Sequence, residues 1–175
     1  MPLRPIALAL LVSASTIAFA APLDDAVRHL DEGRPEVAAR LLSTLADSGN
    51  AEAQYRLGLM YFSGKGVPEN EKKSYDLLLR SATQGHVNAM LQLANVLTFG
   101  QQIPTLIADP DQEAAKWYFQ AASAGNAEAQ YNLGVLFQTG KGVVRDDKES
   151  LHWMQQAARN GHDAAKAYVG AVKKR

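Results

Sequence analysis

The segment Gly49-Asn-Ala-Glu-Ala-Gln-Tyr55 recurs without a change as Gly125-Asn-Ala-Glu-Ala-Gln-Tyr131. A second segment, Gly64-Lys-Gly-Val67, recurs at the same offset as Gly140-Lys-Gly-Val143. Self-similarity at a fixed period is the signature of an array built from one supersecondary unit. Because an array usually works through an extended surface, the repeat predicts a binding protein more readily than a single catalytic cluster.

Four glycines set the phase of this array: Gly49, Gly85, Gly125 and Gly161 lie 36, 40 and 36 residues apart. Apolar residues recur 4, 8 and 11 positions after each glycine, and 12 positions after the first three, which is the spacing of one helical face. A residue with a tiny side chain always lies nine positions after, and a glycine suited to a left-handed C-cap lies fifteen positions after in three copies. The tiny residues are Gly58, Ala94, Gly134 and Gly170, and the cap glycines are Gly64, Gly100 and Gly140.

A second helical face precedes each of these glycines. Large residues lie eight positions before it, at Leu41, Leu77, Trp117 and Trp153, and alanine always lies three positions before it. The matched register of Trp117 and Trp153 indicates core positions rather than ligand-stacking residues. Large residues in one column that face tiny ones in another predict two closely packed antiparallel helices in every unit.

The sequence therefore predicts an all-α, right-handed α-solenoid of antiparallel helix hairpins, with about nine helices and no strand. In the first, diverged hairpin, we expect helices from Asp24 to Glu32 and from Pro35 to Ser48. The predicted organisation is a leader at 1–20, the diverged hairpin at 21–49, repeats at 50–85, 86–125 and 126–161, and a C-terminal capping helix at 162–175.

The N-terminus has the pattern of a secretory signal peptide. Arg4 precedes an apolar run from Ile6 to Ala20, and Ala18-Phe19-Ala20 forms a small-x-small cleavage site. The alternative is an uncleaved anchor, but this run is shorter than the roughly 20 apolar residues that span a bilayer. We expect cleavage after Ala20, a periplasmic or secreted location, and no membrane span in the remaining chain.

Composition argues against several classes of function. The chain from Ala21 has 17 basic and 18 acidic residues, whereas proteins that bind nucleic acid or anionic lipid usually have a basic excess. The chain has no cysteine, which excludes disulfides and a lipid anchor on a cysteine. These counts predict no nucleic-acid partner.

Three short motifs resemble ligand sites but are better explained as turns and helix ends. Gly64-Lys65 and Gly140-Lys141 lack the spacing and the Ser or Thr of a phosphate loop. Asp109-Pro-Asp111 lacks the mid-loop glycine of a calcium loop and suits a helix N-terminus, as Asp146 does in the next copy. His86 and His162 replace Asn50 and Asn126 at a helix-entry position. We therefore predict no catalytic, cofactor-binding or metal-binding residue.

The pattern Ala-x-Ala-x-Tyr-x-Leu-Gly, followed by Gly-x-Gly-Val, an aromatic residue and Ala-Ala-x-x-Gly, resembles the Sel1-like repeat, a relative of tetratricopeptide repeats. The best copy runs from Ala127 to Gly161, whereas the copy from Val87 to Gly125 lacks the Gly-x-Gly-Val loop. The resemblance implies an α-solenoid that serves as an adaptor or scaffold for protein partners, often in bacterial envelopes. Some cysteine-rich relatives are linked to β-lactams, but this chain has no cysteine and that activity is not inferred. The alternative is a protein that binds envelope glycan or peptidoglycan, or a small hydrolase.

A candidate partner-binding groove follows from the first helix of each unit. Positions 3, 6, 10 and 13 after each phase glycine lie on the helix face that does not take part in core packing. The first helices of the units line the concave surface in solenoids of this type. These positions are Glu52, Tyr55, Leu59, Phe62, Asn88, Leu91, Asn95, Thr98, Glu128, Tyr131, Val135 and Gln138. The strongest candidates are Tyr55, Leu59, Phe62, Asn95, Tyr131, Val135 and Gln138. Alternatively, Tyr55 and Tyr131 pack between neighbouring repeats.

The middle copy also carries a longer loop, residues 101–109, with three large aliphatic residues at Ile103, Leu106 and Ile107. Insertions in loops often carry function, so these residues are a candidate recognition patch. Alternatively, they fold back over their own hairpin, and the sequence leaves both possibilities open.

Overall fold

The computed structural model describes residues 14–100 and 103–172, which form nine α-helices and one short 3-10 helix without a strand. The all-α architecture predicted from the repeat is confirmed. The helices are α1 (Ala14–Asp31), α2 (Pro35–Asp47), α3 (Ala51–Ser63), α4 (Glu71–Thr83), α5 (Val87–Phe99), the 3-10 helix η1 (Ile103–Leu106), α6 (Pro110–Ser123), α7 (Ala127–Thr139), α8 (Asp147–Arg159) and α9 (Asp163–Val172).

Helices α3, α5, α7 and α9 follow the phase glycines and are called A helices; α2, α4, α6 and α8 are called B helices. Each A helix packs closely against the B helix that follows it, as the tiny column predicts. A Cβ atom added at Gly58 would lie 3.0 Å from Leu78 Cγ, and one added at Gly134 would lie 3.0 Å from Met154 Cγ. A larger side chain at these positions would force the two helices of the hairpin apart.

The core runs from one hairpin into the next, because no single hairpin covers both of its apolar faces. The largest cluster extends from Leu78 of α4 to Leu136 of α7 and contains Trp117 and the fully buried Tyr118. Trp117 is 8% exposed and Trp153 is half-buried, so the expectation that both belong to core columns is confirmed.

Side-chain caps define where most helices begin. The side chain of the residue after each phase glycine accepts a hydrogen bond from the backbone N–H of the residue three positions later. The residues just before three of the B helices make the same bond. These N-cap residues are Asn50, Asn70, His86, Asp109, Asn126, Asp146 and His162. The structural interpretation of the acidic and histidine motifs is thereby confirmed.

The predicted left-handed C-caps are present in two of the three copies. Gly64 and Gly140 have φ values of 67° and 77°. The prediction is wrong for Gly100, whose φ of −65° and ψ of 162° lead the chain away in an extended conformation. The reason is the longer loop, in which Glu71 accepts a hydrogen bond from the backbone N–H of Ile103 at 2.7 Å. A Cβ at Gly100 would overlap the backbone carbonyl oxygen of Val96 and lie 2.5 Å from Glu71 Oε1, so the glycine is required for space.

The loop between A and B helices packs on the start of the preceding B helix. A Cβ at Gly66 would lie 2.5 Å from the carbonyl carbon of Pro35 in α2, and one at Gly142 would overlap the carbonyl group of Asp111 in α6. The second glycine of the Gly-Lys-Gly-Val loop is therefore needed both for its left-handed φ and for close approach. These contacts join each hairpin to its neighbour.

The ends of the described region differ from the predicted helix bounds. The first helix begins at Ala14 instead of Asp24, because the alanine-rich segment before Pro22 favours helix and continues α1. Most of the predicted leader, including Arg4 and the start of the apolar run, lies outside the described residues. Residues 173–175 of the predicted capping helix also lie outside them. Across 14–100 and 103–172, no helix is long and apolar enough to cross a membrane.

Candidate protein-binding surface

The predicted groove residues lie along the A helices, and several of them contact the next repeat. At the junction of α3 and α5, the His86 ring stacks on Tyr55 with 4.7 Å between ring centroids. His86 Nε2 lies 2.7 Å from Glu52 Oε2, and His86 Nδ1 accepts the N–H of Ala89 at 3.1 Å. One histidine thus caps its own helix and binds the preceding repeat.

The same arrangement recurs at the junction of α7 and α9. His162 stacks on Tyr131 at 4.3 Å, its Nε2 lies 3.0 Å from Glu128 Oε2, and its Nδ1 accepts the N–H of Ala165 at 3.2 Å. We call each set of three residues a His–Glu–Tyr clamp. The clamps show that Tyr55 and Tyr131 pack between neighbouring repeats, as the alternative to a role in the groove predicted. Both side chains are nevertheless partly exposed to solvent.

The hydrogen bonds assign the tautomer of His86. Because Nδ1 accepts a backbone N–H, it carries no proton, and Nε2–H donates to the Glu52 carboxylate. Burial raises the pKa of the Glu52 carboxyl, but the His86 hydrogen bond and the adjacent Arg56 guanidinium together outweigh burial, so this pKa lies below its ordinary value. The clamp therefore favours an ionised Glu52.

The junction between α5 and α7 has no such clamp. Asn126 takes the place of the histidine, and its Nδ2 lies 3.4 Å from Oδ1 of Asn88. Leu91 takes the place of the tyrosine and is 8% exposed. The expectation that Leu91 lies on the open face is wrong, because without a ring to stack on, this side chain packs into the large core cluster.

A cleft of about 270 Å³ opens on the A-helix side of this unclamped junction. Val135 lies in its wall and also packs against the small cluster around Met154 and Ala165. Phe99 at the end of α5 is 74% exposed, an unusual state for a large aromatic residue. The cleft is lined by Thr98, Phe99, Tyr118, Asn132, Val135, Leu136, Thr139 and Lys141.

The polar groups at this cleft are mostly neutral. The hydroxyl of Tyr118, which lines the cleft, donates to Oδ1 of Asn95 at 2.7 Å. Helix α5 contains no acidic or basic residue, and α7 contains one, Glu128, which belongs to a clamp. Lys141 at the edge is paired with Asp111 at 3.2 Å.

The other predicted groove residues are distributed along the same side. Leu59 is half-buried and Phe62 is 44% exposed on α3. Gln138 Nε2 lies 3.4 Å from the Tyr168 hydroxyl of α9. The structure places these residues on successive A helices, and their role in binding stays a prediction.

The aliphatic residues of the long loop separate into two groups. Ile103 is 3% exposed and belongs to the large core cluster, and Ile107 packs against that cluster. Both therefore fold back over the hairpin, as one of the two alternatives expected. Leu106 is 71% exposed and is the member of the patch that remains open to solvent.

Sequence reasoning missed a second cleft, on the B-helix side. It measures about 370 Å³ and lies between α6, the residues Leu133 and Phe137 of α7, and the loop that contains Gly142. Phe119, which is 51% exposed, forms one wall and meets Trp153 edge-on at 5.8 Å. The sequence signal that could have identified this cleft is Phe119 itself. It is an aromatic residue at a repeat position that is otherwise occupied by Ser43, Leu79 and Gln155.

The described side chains do not form a group of three or more residues suited to hold a metal ion. Three histidines come close to a carboxylate, each as a single pair: His86 and His162 within the clamps, and His29 beside Glu32 at 3.9 Å.

Comparisons with known proteins agree with this architecture. A family model described as Sel1 repeat matches residues 51–86, 87–126 and 127–162. An exopolysaccharide production negative regulator of Rhizobium meliloti is 32% identical over 152 residues, which cover 80% of this chain and 56% of that protein. The chain thus spans about half the length of that relative.

Two solved structures share the fold. The Sel1 repeat protein from Oxalobacter formigenes is 30% identical with a TM-score of 0.65, over 74% of this chain and 95% of that one. The antigen c5321 of uropathogenic Escherichia coli, described as protective and as displaying an SLR fold, is 29% identical with a TM-score of 0.77, over 91% of this chain and 34% of that one.

Proposed function

Because the chain belongs to the Sel1 repeat family, we propose that it is a non-enzymatic adaptor or regulator that binds protein partners along its A helices. The observation that carries the proposal is the unclamped junction of α5 and α7, where a cleft of about 270 Å³ opens beside the exposed Phe99. Exposed large aromatic residues at a cleft are typical of interaction sites, since burying them on binding is favourable.

The comparisons support a regulatory role. The relative from Rhizobium meliloti is named as a regulator of exopolysaccharide production. A solenoid of this kind offers an extended surface, which suits a protein that acts by binding another protein. We place the contact with the partner at Phe62, Phe99 and Val135.

We further propose that the protein works in the periplasm or outside the cell. The support is the N-terminal sequence, in which an apolar run ends at Ala18-Phe19-Ala20. Mass spectrometry of the protein recovered from the envelope fraction tests this: a chain beginning at Ala21 is expected. An intact N-terminus in a cytoplasmic fraction would contradict it.

A crosslinking pull-down from envelope extract tests the binding surface. The full chain is compared with Phe99→Glu and with the matched control Phe119→Glu, which changes an exposed phenylalanine on the B-helix side. A protein captured by the wild type and by the control, but lost with Phe99→Glu, is the expected result. Capture that survives Phe99→Glu and fails with Phe119→Glu would move the surface to the B-helix side.

Charge reversal at Leu59 and Val135 is a less specific test. Val135 packs against the cluster that joins α8 and α9, so a charge there also removes packing contacts. Phe99 avoids this difficulty because three quarters of it is already in solvent. Circular dichroism of each variant confirms that the helices are retained.

A further inference from the structure

The four A helices begin at N-caps of two chemical kinds, which alternate along the array. Asparagine caps α3 and α7, and histidine caps α5 and α9. Each cap accepts the N–H of a fully buried alanine three positions later, through Oδ1 of asparagine or Nδ1 of histidine. The four alanines and the lengths of their hydrogen bonds are Ala53 at 2.8 Å, Ala89 at 3.1 Å, Ala129 at 2.9 Å and Ala165 at 3.2 Å. One chain therefore contains a matched series in which the capping side chain differs.

The two kinds of cap respond differently to acid. The asparagine amide does not change its charge near neutral pH, so its oxygen remains an acceptor. Histidine changes its charge between about pH 5 and pH 8, and the imidazolium has two N–H donors and no acceptor. When His86 gains a proton, its Nδ1–H and the N–H of Ala89 face each other as two donors, and the cap is lost.

The clamp prevents the ring from turning to find another acceptor. The His86 ring lies 4.7 Å from the Tyr55 ring with 29° between their planes, and its Nε2–H donates to Glu52 at 2.7 Å. The His86 side chain is 18% exposed. A rotation that withdrew Nδ1 from Ala89 would break the stack or the bond to Glu52. In the protonated state the ring thus keeps its contact with α3 and loses its contact with the start of α5.

The charges around His86 favour the same outcome. Burial raises the pKa of Glu52, but the bond from His86 and the Arg56 guanidinium outweigh burial and hold this pKa below its ordinary value, so Glu52 is ionised where histidine gains its proton. The imidazolium and this carboxylate then form a charge-assisted hydrogen bond. On the other side, α5 contributes no charged residue and the last turn of α4 contributes Arg80. A cation at the first turn of a helix is also unfavourable, because the free N–H groups there carry partial positive charge.

His162 is placed in the same way between α7 and α9. Its side chain is 16% exposed, its ring stacks on the neighbouring tyrosine at 4.3 Å, and its Nε2 lies 3.0 Å from the Glu128 carboxylate. The charged neighbours on the other side are Asp163 and Lys166 of α9, which pair with each other at 2.8 Å, and Arg159 in the last turn of α8. The junction of α5 and α7 has an asparagine cap in place of this histidine.

From this geometry we propose that protonation of His86 and His162 releases the N-caps of α5 and α9, whereas the caps of α3 and α7 persist. Two of the three junctions between neighbouring A helices are thereby sensitive to pH, and the junction that carries the cleft beside Phe99 is not. Because repeats in a solenoid contact only their neighbours, the change acts on the two clamped junctions and is not transmitted along the whole array. The pH dependence belongs to the junctions and is independent of whether a partner binds at the cleft.

Nuclear magnetic resonance of the ¹⁵N-labelled full chain tests the protonation of the rings. At about pH 8, the ring nitrogens of His86 and His162 should show a proton on Nε2 and none on Nδ1. At about pH 5, both nitrogens of each ring should carry a proton. A proton on Nδ1 at the higher pH, or rings that stay neutral at the lower pH, would overturn the proposal.

Exchange of the four capped N–H groups with water measures the caps themselves. Each rate is compared with that of an unstructured chain at the same pH, which removes the intrinsic effect of pH on exchange. Between about pH 8 and about pH 5, the protection of Ala89 and Ala165 should fall about fivefold or more, and that of Ala53 and Ala129 should remain unchanged. An equal change at all four alanines would mean that acid loosens every repeat, and no change at Ala89 and Ala165 would mean that the caps survive protonation. Either result contradicts the proposal.

His86→Asn supplies the matched control, since asparagine already caps the same position in α3 and α7. This variant should keep Ala89 protected at both pH values, while Ala165, which His162 still caps, should retain its pH dependence. Protection at Ala89 that still falls with acid in this variant would exclude the histidine as the cause. Circular dichroism at both pH values checks that the variant retains its helices.

Discussion

Replacing Gly142 by alanine should destabilise the chain considerably more than replacing Gly140, although both lie in one loop and both have positive φ values, 69° and 77°. A left-handed conformation costs a residue with a Cβ about 1–2 kcal/mol, and this cost applies equally to both positions. The two differ in what surrounds them. A Cβ at Gly140 would have Arg145 Cβ as its nearest neighbour at 3.4 Å, whereas one at Gly142 would overlap the Asp111 carbonyl group.

The overlap at Gly142 involves backbone, which cannot move aside as a flexible side chain can. Forcing extra atoms into a packed contact typically costs a further 1–3 kcal/mol or so. We therefore expect a loss of about 1–2 kcal/mol for Gly140→Ala and about 2–5 kcal/mol for Gly142→Ala. The additional loss corresponds to a fall of about 1 M in the urea midpoint at a typical slope.

Urea unfolding followed by circular dichroism measures both variants beside the wild type. The pair Gly64→Ala and Gly66→Ala provides an independent repetition, because only Gly66 approaches Pro35. Equal midpoints for Gly140→Ala and Gly142→Ala would refute the reasoning, since the loop would then not pack on the start of α6.

Three further predictions follow from single contacts. In the clamp, the pKa of Glu52 is lowered in the folded state, so its contribution to stability is present above the unfolded-state pKa and is lost as pH falls through the folded-state pKa. The difference in urea midpoint between wild type and Glu52→Gln should therefore shrink from about pH 5 to about pH 3. A difference that stays constant with pH would contradict this. Tyr118→Phe removes the bond to Asn95 and should cost about 0.5–1.5 kcal/mol in urea unfolding, whereas an unchanged midpoint would mean that the bond contributes nothing. Asp146→Ala removes an N-cap side chain that accepts hydrogen bonds from two backbone N–H groups, and it should lower the free energy of unfolding by about 1 kcal/mol. Asp147→Ala is the neighbouring control, and equal effects of the two variants would exclude the cap as the cause.

The repeat predicted the hairpins because the residues at equivalent positions of each copy reflect contacts within one hairpin. The tiny residues at Gly58 and Gly134 correctly identified where two helices approach, and the acids at Asp109 and Asp146 correctly identified helix starts. Such features depend on neighbours within one hairpin, so their spacing is visible in the sequence. Gly100 was predicted wrongly because its conformation depends on Glu71, which lies in the preceding unit's B helix.

The junctions between repeats were harder to predict for the same reason. Tyr55 and His86 are 31 positions apart, and only the stacked geometry shows that they meet. The sequence offered the residue types of the clamp but not their pairing. It therefore left open whether Tyr55 packs between repeats, and it placed Leu91 on an open face. At the junction that carries the cleft beside Phe99, Asn88 and Asn126 occupy the positions where the other two junctions have a clamp.

Amide hydrogen exchange of the full chain, alone and with its captured partner, tests the binding surface most directly. Protection on binding should concentrate at the C-terminal half of α5 and the facing part of α7, around Phe99, Asn132 and Val135. Protection confined to α6 and α8, with α5 and α7 unchanged, would contradict it.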